Sequence, residues 1–342
     1  MIKGHGNDIY SLNAEPELDY STNVLFNEYL YNQLCNNILT YKNISNYPEP
    51  NASSLQNKIA LYHNLKPDNI QVTNGSTEAF YLIAQLFRDK KSVIFTPSFA
   101  EYEDACRVHK HQIKFISNKF LSSDLIFDAD LVWIGNPNNP DGKIYSPDFI
   151  SELCKKNPGV VFVIDEAFAE LCYGFYSSVS ALSFHQNLVI IRSFTKSFGI
   201  PGIRLGYIIS SNKIYSQTEK IKIPWNVNTI AIETGKYILD NYNNSSEVIS
   251  RIYEESEWFQ NKLDELEYLQ VVKSPVNFFL VKLLKGESAK LKKYLLEKYN
   301  ILIRDASNFR ELDNSWIRLA VLKREENKFF VFAIKRWLEE TH

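Results

Sequence analysis

Cysteine is scarce in this 342-residue chain. Its four cysteines, Cys35, Cys106, Cys154 and Cys172, lie far apart and form no C-x-x-C pair. That speaks against a disulfide framework and for free thiols in a reducing compartment. An excess of charge is also missing: 38 basic against 40 acidic residues leave a net −2. Neither nucleic acid nor an anionic membrane is therefore an expected partner. No uninterrupted apolar run is long enough to cross a bilayer, and the opening MIKGHGNDIY has no apolar core of a secretory signal. The expected location is the cytoplasm. No internal repeat or low-complexity tract is present. No G-x-G-x-x-G follows the first strand, which argues against a dinucleotide enzyme, and no DNA-binding extension is seen, which argues against a regulator. His109 and His111 alternate near a strand start without a third ligand. They read as solvated, and no metal site is expected.

What remains is an ordinary globular composition, 45% hydrophobic and 23% charged, with 20 Tyr and 22 Phe to fill cores that a single Met cannot. The length suggests about two domains. Short apolar runs alternate with helical patterns: strands at Ile70–Val72, Ser92–Phe95, Ile113–Ile116, Leu131–Ile134, Val160–Ile164, Leu188–Ile191 and Tyr207–Ile209. Helical patterns cover about 25–40, from Ser53, Phe80–Phe87, around Tyr102–Ala105, and Pro147–Lys156. Alternation of this kind predicts an α/β fold, a mostly parallel sheet covered on both faces as a three-layer α/β/α unit. From Thr229 the pattern turns helical. It then gives strands at Leu269–Val272, Phe278–Val281, Ile301–Ile303 and Trp316–Val321 with helices at Lys290–Tyr299 and Glu325–Leu338. A second, smaller α+β unit is expected, joined by residues near the N-terminus. The expected division is 1–40 as an arm and part of the small domain, 41–242 as the large domain, and 243–342 as the small domain.

The polar clusters follow the ends of these strands, the edge of an open α/β sheet where ligands bind. Thr73-Asn74-Gly75-Ser76-Thr77 joins a strand to a helix N-terminus, where free amides and the helix dipole favour a phosphate. Alone it would read as helix capping. Asp165 ends a strand that should be central, and a buried carboxylate needs a cationic or donor partner. Lys196 lies just after the Leu188–Ile191 strand, among Ser193, Thr195 and Ser197. Desolvation there would lower the amine pKa and make it a nucleophile toward aldehydes. Arg204, past Pro201-Gly202, is a fixed cation suited to a phosphate. An aldehyde and a phosphate together describe pyridoxal 5'-phosphate (PLP).

N-G-S-T-E at 74–78, N-P-N-N-P-x-G at 136–142, D-E-A-F at 165–168 and S-F-T-K-x-F-x-x-P-G-x-R-x-G-Y at 193–207 occur in one order. In that order and spacing the chain resembles the fold-type I PLP enzymes of the class I/II aminotransferase superfamily over nearly its whole length. Within it, the chain is similar to the branch of histidinol-phosphate aminotransferase and threonine-phosphate decarboxylase. The resemblance implies that Lys196 carries the cofactor as an imine and that Asp165 pairs with its ring nitrogen, an electron sink when protonated. It implies Asn139 on the phenolic oxygen, Phe99 stacked on the ring, and Gly75, Ser76, Thr77, Ser193 and Arg204 around the phosphate. Tyr47 would reach the cofactor phosphate of a partner subunit, which implies a homodimer. Arg318, in W-I-R-L-A, would hold a substrate carboxylate.

Three departures bear on this. Phe168 stands where many transaminases have a tyrosine, so a hydrogen bond to the phenolic oxygen is lost. Asp141 replaces the usual Thr before Gly142, and D-Y-S-T-N at 19–23 is not followed by I-N-P-L-G. H-G-N at 5–7, T-P-x-F-A-E-Y at 96–102, I-P-W-N-V-N at 223–228 and I-L-I-R-D-A-S-N-F at 301–309 resemble the decarboxylase more than the aminotransferase. His5, Asn7 and Asn23 would then lie near a substrate phosphate, with Arg304 or Lys323 adding positive charge. The substrate implied is a small amino acid or amino-phosphate. Either CO2 loss or amine transfer is open, the former belonging to cobalamin-type biosynthesis and the latter to amino acid biosynthesis.

Overall fold

The computed structural model describes residues 15–25, 28–38, 45–241 and 246–341. Seven strands form the larger sheet: β2 (Ile70–Thr73), β3 (Lys91–Thr96), β4 (Gln112–Ser117), β5 (Leu131–Gly135), β6 (Val161–Asp165), β7 (Leu188–Ser193) and β8 (Gly206–Ser210). Their spatial order is β2-β8-β7-β6-β5-β3-β4. Every pairing is parallel except the two made by β8. Twelve residues join the end of β7 to the start of β8, and the chain returns antiparallel beside β7.

The strands read as near-continuous apolar runs because both faces are covered. Alternate residues divide between two cores. Val132, Ile134, Phe162, Ile164 and Ile190 meet the helices Ser53–Tyr62, Pro147–Lys156 and Thr229–Asn241. Leu131, Trp133, Val163, Val189 and Ile191 meet the helices Gly75–Leu86 and Glu101–Val108. The expected three-layer α/β fold is thus what the chain adopts. Each such fully buried side chain contributes about 1.5–3 kcal/mol relative to exposure, which makes this sheet the rigid part of the molecule.

A second, antiparallel sheet has the order β12-β13-β10-β9, built from β9 (Leu269–Val272), β10 (Phe278–Leu283), β12 (Arg304–Asp305) and β13 (Trp316–Ala320). The helices Ser246–Asp264, Ser288–Tyr299 and Arg324–Thr341 cover it, with Phe259, Phe279, Leu291, Phe330 and Ile334 in the core. Residues near the N-terminus join this core. β1 (Leu18–Asp19) pairs with β11 (Ile301–Leu302), and Tyr20, fully buried, packs its ring 4.7 Å from that of Phe330.

One expectation is overturned. His111 is buried, not solvated: Nδ1 lies 2.7 Å from Ser92 Oγ and Nε2 2.8 Å from the Ala84 carbonyl. Strand alternation does not apply there, because β4 starts only at Gln112 and Lys110 turns the chain at φ 62°. Burial lowers the His111 pKa, so the imidazole stays neutral and serves as a core hydrogen-bonding group.

Candidate active site

The carboxyl ends of β5, β6 and β7 lie side by side, with Gly135 opposite Asp165 and Asp165 opposite Ile191. Above them a cleft of about 610 Å³ separates the large sheet from the small one. That volume is within the range of small-molecule sites. Lys196, Asp165, Asn139, Phe99, Ser76, Thr77, Ser193, Arg204, Asn23 and Arg318 all face it.

The floor is built locally by two turns. β7 ends at Ser193, whose Oγ accepts from the Thr195 amide and starts the short helix Phe194–Ser197 that carries Lys196. Burial, then the Arg318 and Arg204 guanidinium groups, lower the Lys196 pKa to about 8. A neutral amine near physiological pH is the form that attacks an aldehyde. Asp165 is buried, and burial raises its pKa to about 6, against the pull of two donors. The Ala167 amide donates to Oδ1 at 3.0 Å, and the Tyr102 hydroxyl donates to Oδ2 at 2.5 Å. Such a carboxylate is poised to meet a cation or an N–H from the cleft.

The second turn forms an anion cradle. The helix Gly75–Leu86 starts beside Gly206, where any Cβ would stand 2.6 Å from the Ser76 amide nitrogen. Gly75 has φ 76°, and a Cβ on it would press to 2.5 Å on the Arg204 guanidinium. Two glycines thus let Ser76, Thr77 and Arg204 converge on one corner of the cleft. A helix N-terminus, hydroxyls and an arginine suit a phosphate. The amine, the buried carboxylate and this cradle open on a single cleft, so the residues present fit PLP.

The opposite wall comes from the small sheet. Arg318, on β13, is buried and donates to Asn139 Oδ1 and the Ser21 carbonyl, both at 2.7 Å. Its Nε has no partner, and it forms no ion pair with a described acidic residue. Burial and the neighbouring Arg304 lower its pKa to about 9. A guanidinium nonetheless keeps its proton, and a buried cation beside another one favours an incoming anion. Arg304 lies directly across the strand pair from Arg318. Like charges so placed repel. Arg304 lines a smaller hollow of about 50 Å³ that shares Phe99, Asn139 and Arg318 with the main cleft. Phe168 presents an apolar wall, packed 4.7 Å from Phe278, with Lys196 Nζ 6.0 Å from its ring centre.

Some residues singled out in the sequence stand elsewhere. Tyr47 is 89% exposed, does not line the cleft, and lies 6.0 Å from the Trp225 ring. Lys323 is exposed and is not on the cleft wall. His5 and Asn7 lie outside the described residues. Tyr102 was not singled out. Its signal was its place one helical turn after Phe99, on the same face. Asp19 and Ser21 also face the cleft, because the segment 18–25 runs from the small sheet to the lysine turn, where the Leu25 amide meets the Lys196 carbonyl at 3.0 Å.

The description "Aminotransferase class I and II" matches residues 24–334, and the chain belongs to that family of PLP-dependent enzymes. Among solved structures, the chain is similar to the L-threonine-O-3-phosphate decarboxylase of Porphyromonas gingivalis, with 37% identity and a TM-score of 0.89 over 94% of this chain and 99% of that one. The histidinol-phosphate aminotransferase of Clostridium acetobutylicum is 31% identical, with a TM-score of 0.84 over 94% of this chain and 99% of that one. An adenosylcobalamin biosynthesis bifunctional protein of Leptospira interrogans is 29% identical over 96% of this chain and 40% of its own length.

Proposed function

We propose that this PLP-dependent enzyme removes the carboxylate of a small phosphorylated amino acid, as a threonine-phosphate decarboxylase does, in a cobalamin-type pathway in the cytoplasm. The observation that carries this reading is the similarity to the Porphyromonas decarboxylase, 37% identical with a TM-score of 0.89. The opposed arginines, Arg318 and Arg304, fit it. Two buried cations on adjacent strands suit a substrate with a carboxylate and a phosphate, and they would equally suit the dicarboxylic co-substrate of amine transfer.

When bound, PLP supplies an electron sink for the bond broken at the substrate α-carbon. Lys196 Nζ would hold the cofactor and, freed when substrate binds, would deliver a proton to the substrate α-carbon after CO2 leaves. Asp165 would keep the ring nitrogen protonated. Asn139 would bond the phenolic oxygen, and Phe99 would cover the ring. Ser76, Thr77, Ser193 and Arg204 hold the cofactor phosphate, with Gly75 giving them room. Arg318 grips the substrate carboxylate in a bidentate pair, held to its task by Asn139 and Ser21. Arg304, Asn23, His5 and Asn7 serve the far end of the substrate. Tyr47, exposed beside Trp225, reaches the site of a second copy, so the working form is a homodimer. The separate cores support a large domain at 41–242 and a small domain at 243–342; the segment 1–40, an arm and part of the small domain by this division, gives Tyr20 to the small core and Leu34 and Ile38 to the large one.

A second reading is amine transfer, as in the histidinol-phosphate aminotransferase of Clostridium acetobutylicum. The same Lys196 then removes the α-proton instead of replacing the carboxylate. Incubation with threonine phosphate alone, then with histidinol phosphate and 2-oxoglutarate, separates the two. CO2 from the first mixture is expected; glutamate from the second without CO2 from the first would overturn the decarboxylase reading.

A further inference from the structure

Asp165 is not left to burial alone. Tyr102, fully buried, stands on the helix Glu101–Val108 with its ring stacked on Trp133 at 5.6 Å and 15°. The Phe80 ring closes it from the side at 5.1 Å and 79°. Held in this way, the hydroxyl has one acceptor, Asp165 Oδ2 at 2.5 Å. Oδ1 accepts from the Ala167 amide. Each carboxylate oxygen can accept two hydrogen bonds, so two further positions remain on a carboxylate that lines the cleft.

We propose that Tyr102 is a positioning residue which fixes the Asp165 carboxylate and keeps it ionised against the ring nitrogen of the cofactor. The proposal rests on the reading of Asp165 as that nitrogen's partner. Two donors from opposite sides fix the plane of the carboxylate, which a single backbone bond would leave free to turn. The other charged groups near Asp165 do not replace this donor. Glu166 turns away to Arg192, Ser177 and the Ser178 amide. Lys196 faces the cleft, where the cofactor takes it up. Cys106, one turn further along the helix, is bonded to Ser92.

The sign follows from the donor. A hydrogen bond to an ionised carboxylate lowers its pKa, and burial already pushes Asp165 up to about 6. Without the hydroxyl the carboxylate becomes more basic and draws the shared proton away from the ring nitrogen. A less positive ring makes the imine on Lys196 more basic, so its absorbance titration moves to higher pH.

The test compares Tyr102→Phe with the unaltered holoenzyme, and uses Trp133→Phe as a packing control that keeps the hydroxyl. Three quantities are read: the pH midpoint of the visible cofactor absorbance without substrate, cofactor affinity, and the unfolding midpoint of the apoprotein. For Tyr102→Phe the absorbance midpoint is expected to rise by about 0.5–1 unit and cofactor affinity to fall about three- to tenfold. The control should leave the absorbance midpoint in place. A Tyr102→Phe enzyme whose absorbance midpoint and affinity are unchanged overturns the proposal. So does a variant that loses only unfolding temperature or fails to fold, since either outcome assigns Tyr102 to the core. A failure of the underlying reading looks different: the unaltered protein would then show no visible absorbance dependent on Lys196.

Discussion

The two walls of the cleft are made on opposite principles. The wall on the large sheet carries its carboxylates already matched. Asp165 has Tyr102 and the Ala167 amide, and behind it Arg192 bridges Glu166 and Glu170 at 2.7 Å each, with Ser197 bonded to Glu170. The wall on the small sheet sets two buried arginines against each other, and Arg318 finds only carbonyl oxygens. The carboxylates of the first wall are held before any ligand arrives, while Lys196, Arg204 and the cradle are left to take the cofactor. On the second, Arg318 has no ion pair with a described acidic residue, and an anion that comes and goes can supply one.

Changes at the two walls sharpen this contrast. The largest expected effect is at the first. Lys196→Ala should abolish the visible absorbance and cut turnover by roughly 10²–10⁴-fold, the range for a lost proton-transfer group; a purified variant that keeps both would break the assignment. Next is Arg318→Met. Losing two charged hydrogen bonds to the substrate should raise KM by roughly 10–100-fold, while the absorbance stays. Removing an unmatched buried charge should also stabilise the unliganded protein by about 1–3 kcal/mol, read from denaturant unfolding. Loss of stability instead would mean that Arg318 has a structural partner.

A smaller effect is expected at the contact that holds the two walls together. Glu103, buried, accepts a bidentate pair from Arg310 at 2.6 and 2.7 Å. Glu311 accepts from Thr96 and Ser117. These bonds tie the loop after Arg304 to the helix Glu101–Val108 and to the ends of β3 and β4. Arg310→Ala should raise KM about two- to tenfold through a looser Arg304, with an unchanged absorbance spectrum. The smallest perturbation is pH. Cofactor uptake by apoprotein should accelerate as Lys196 loses its proton, half-maximally near pH 8 and not near the ordinary 10.5. The sign is that of a base whose folded pKa is lowered: the unfolded chain holds more protons between those values, so this residue's contribution to stability also rises with pH across that window. Stopped-flow uptake rates across pH 6–10 check it.

The same contrast explains what could be read from the sequence. Most strands of the large sheet were legible because they are buried apolar runs, the edge strand β4 being the exception, and the polar residues after them fell on one edge by topology. Lys196, Asp165, Asn139 and Ser76 could be placed together for that reason. The helix Asn212–Glu219 was not legible, since only Ile214 and Thr218 of its eight residues are buried. The antiparallel course of β8 is a matter of where the chain returns, which periodicity does not encode. Tyr102 looked like one more core aromatic, because its ring is one and only its hydroxyl acts outward. On the small-sheet wall, Arg318 and Arg304 sit fourteen residues apart, and their opposition depends on a strand pairing. Asp19 and Ser21 come from the far end of the chain. His111 was misread because a turn at Lys110 reversed its side chain.

Borohydride reduction of the purified holoenzyme, followed by peptide mass mapping, tests the covalent claim most directly. The reduced cofactor should be found on the peptide that contains Lys196, at that residue. Cofactor fixed to another lysine, or to none, would contradict it.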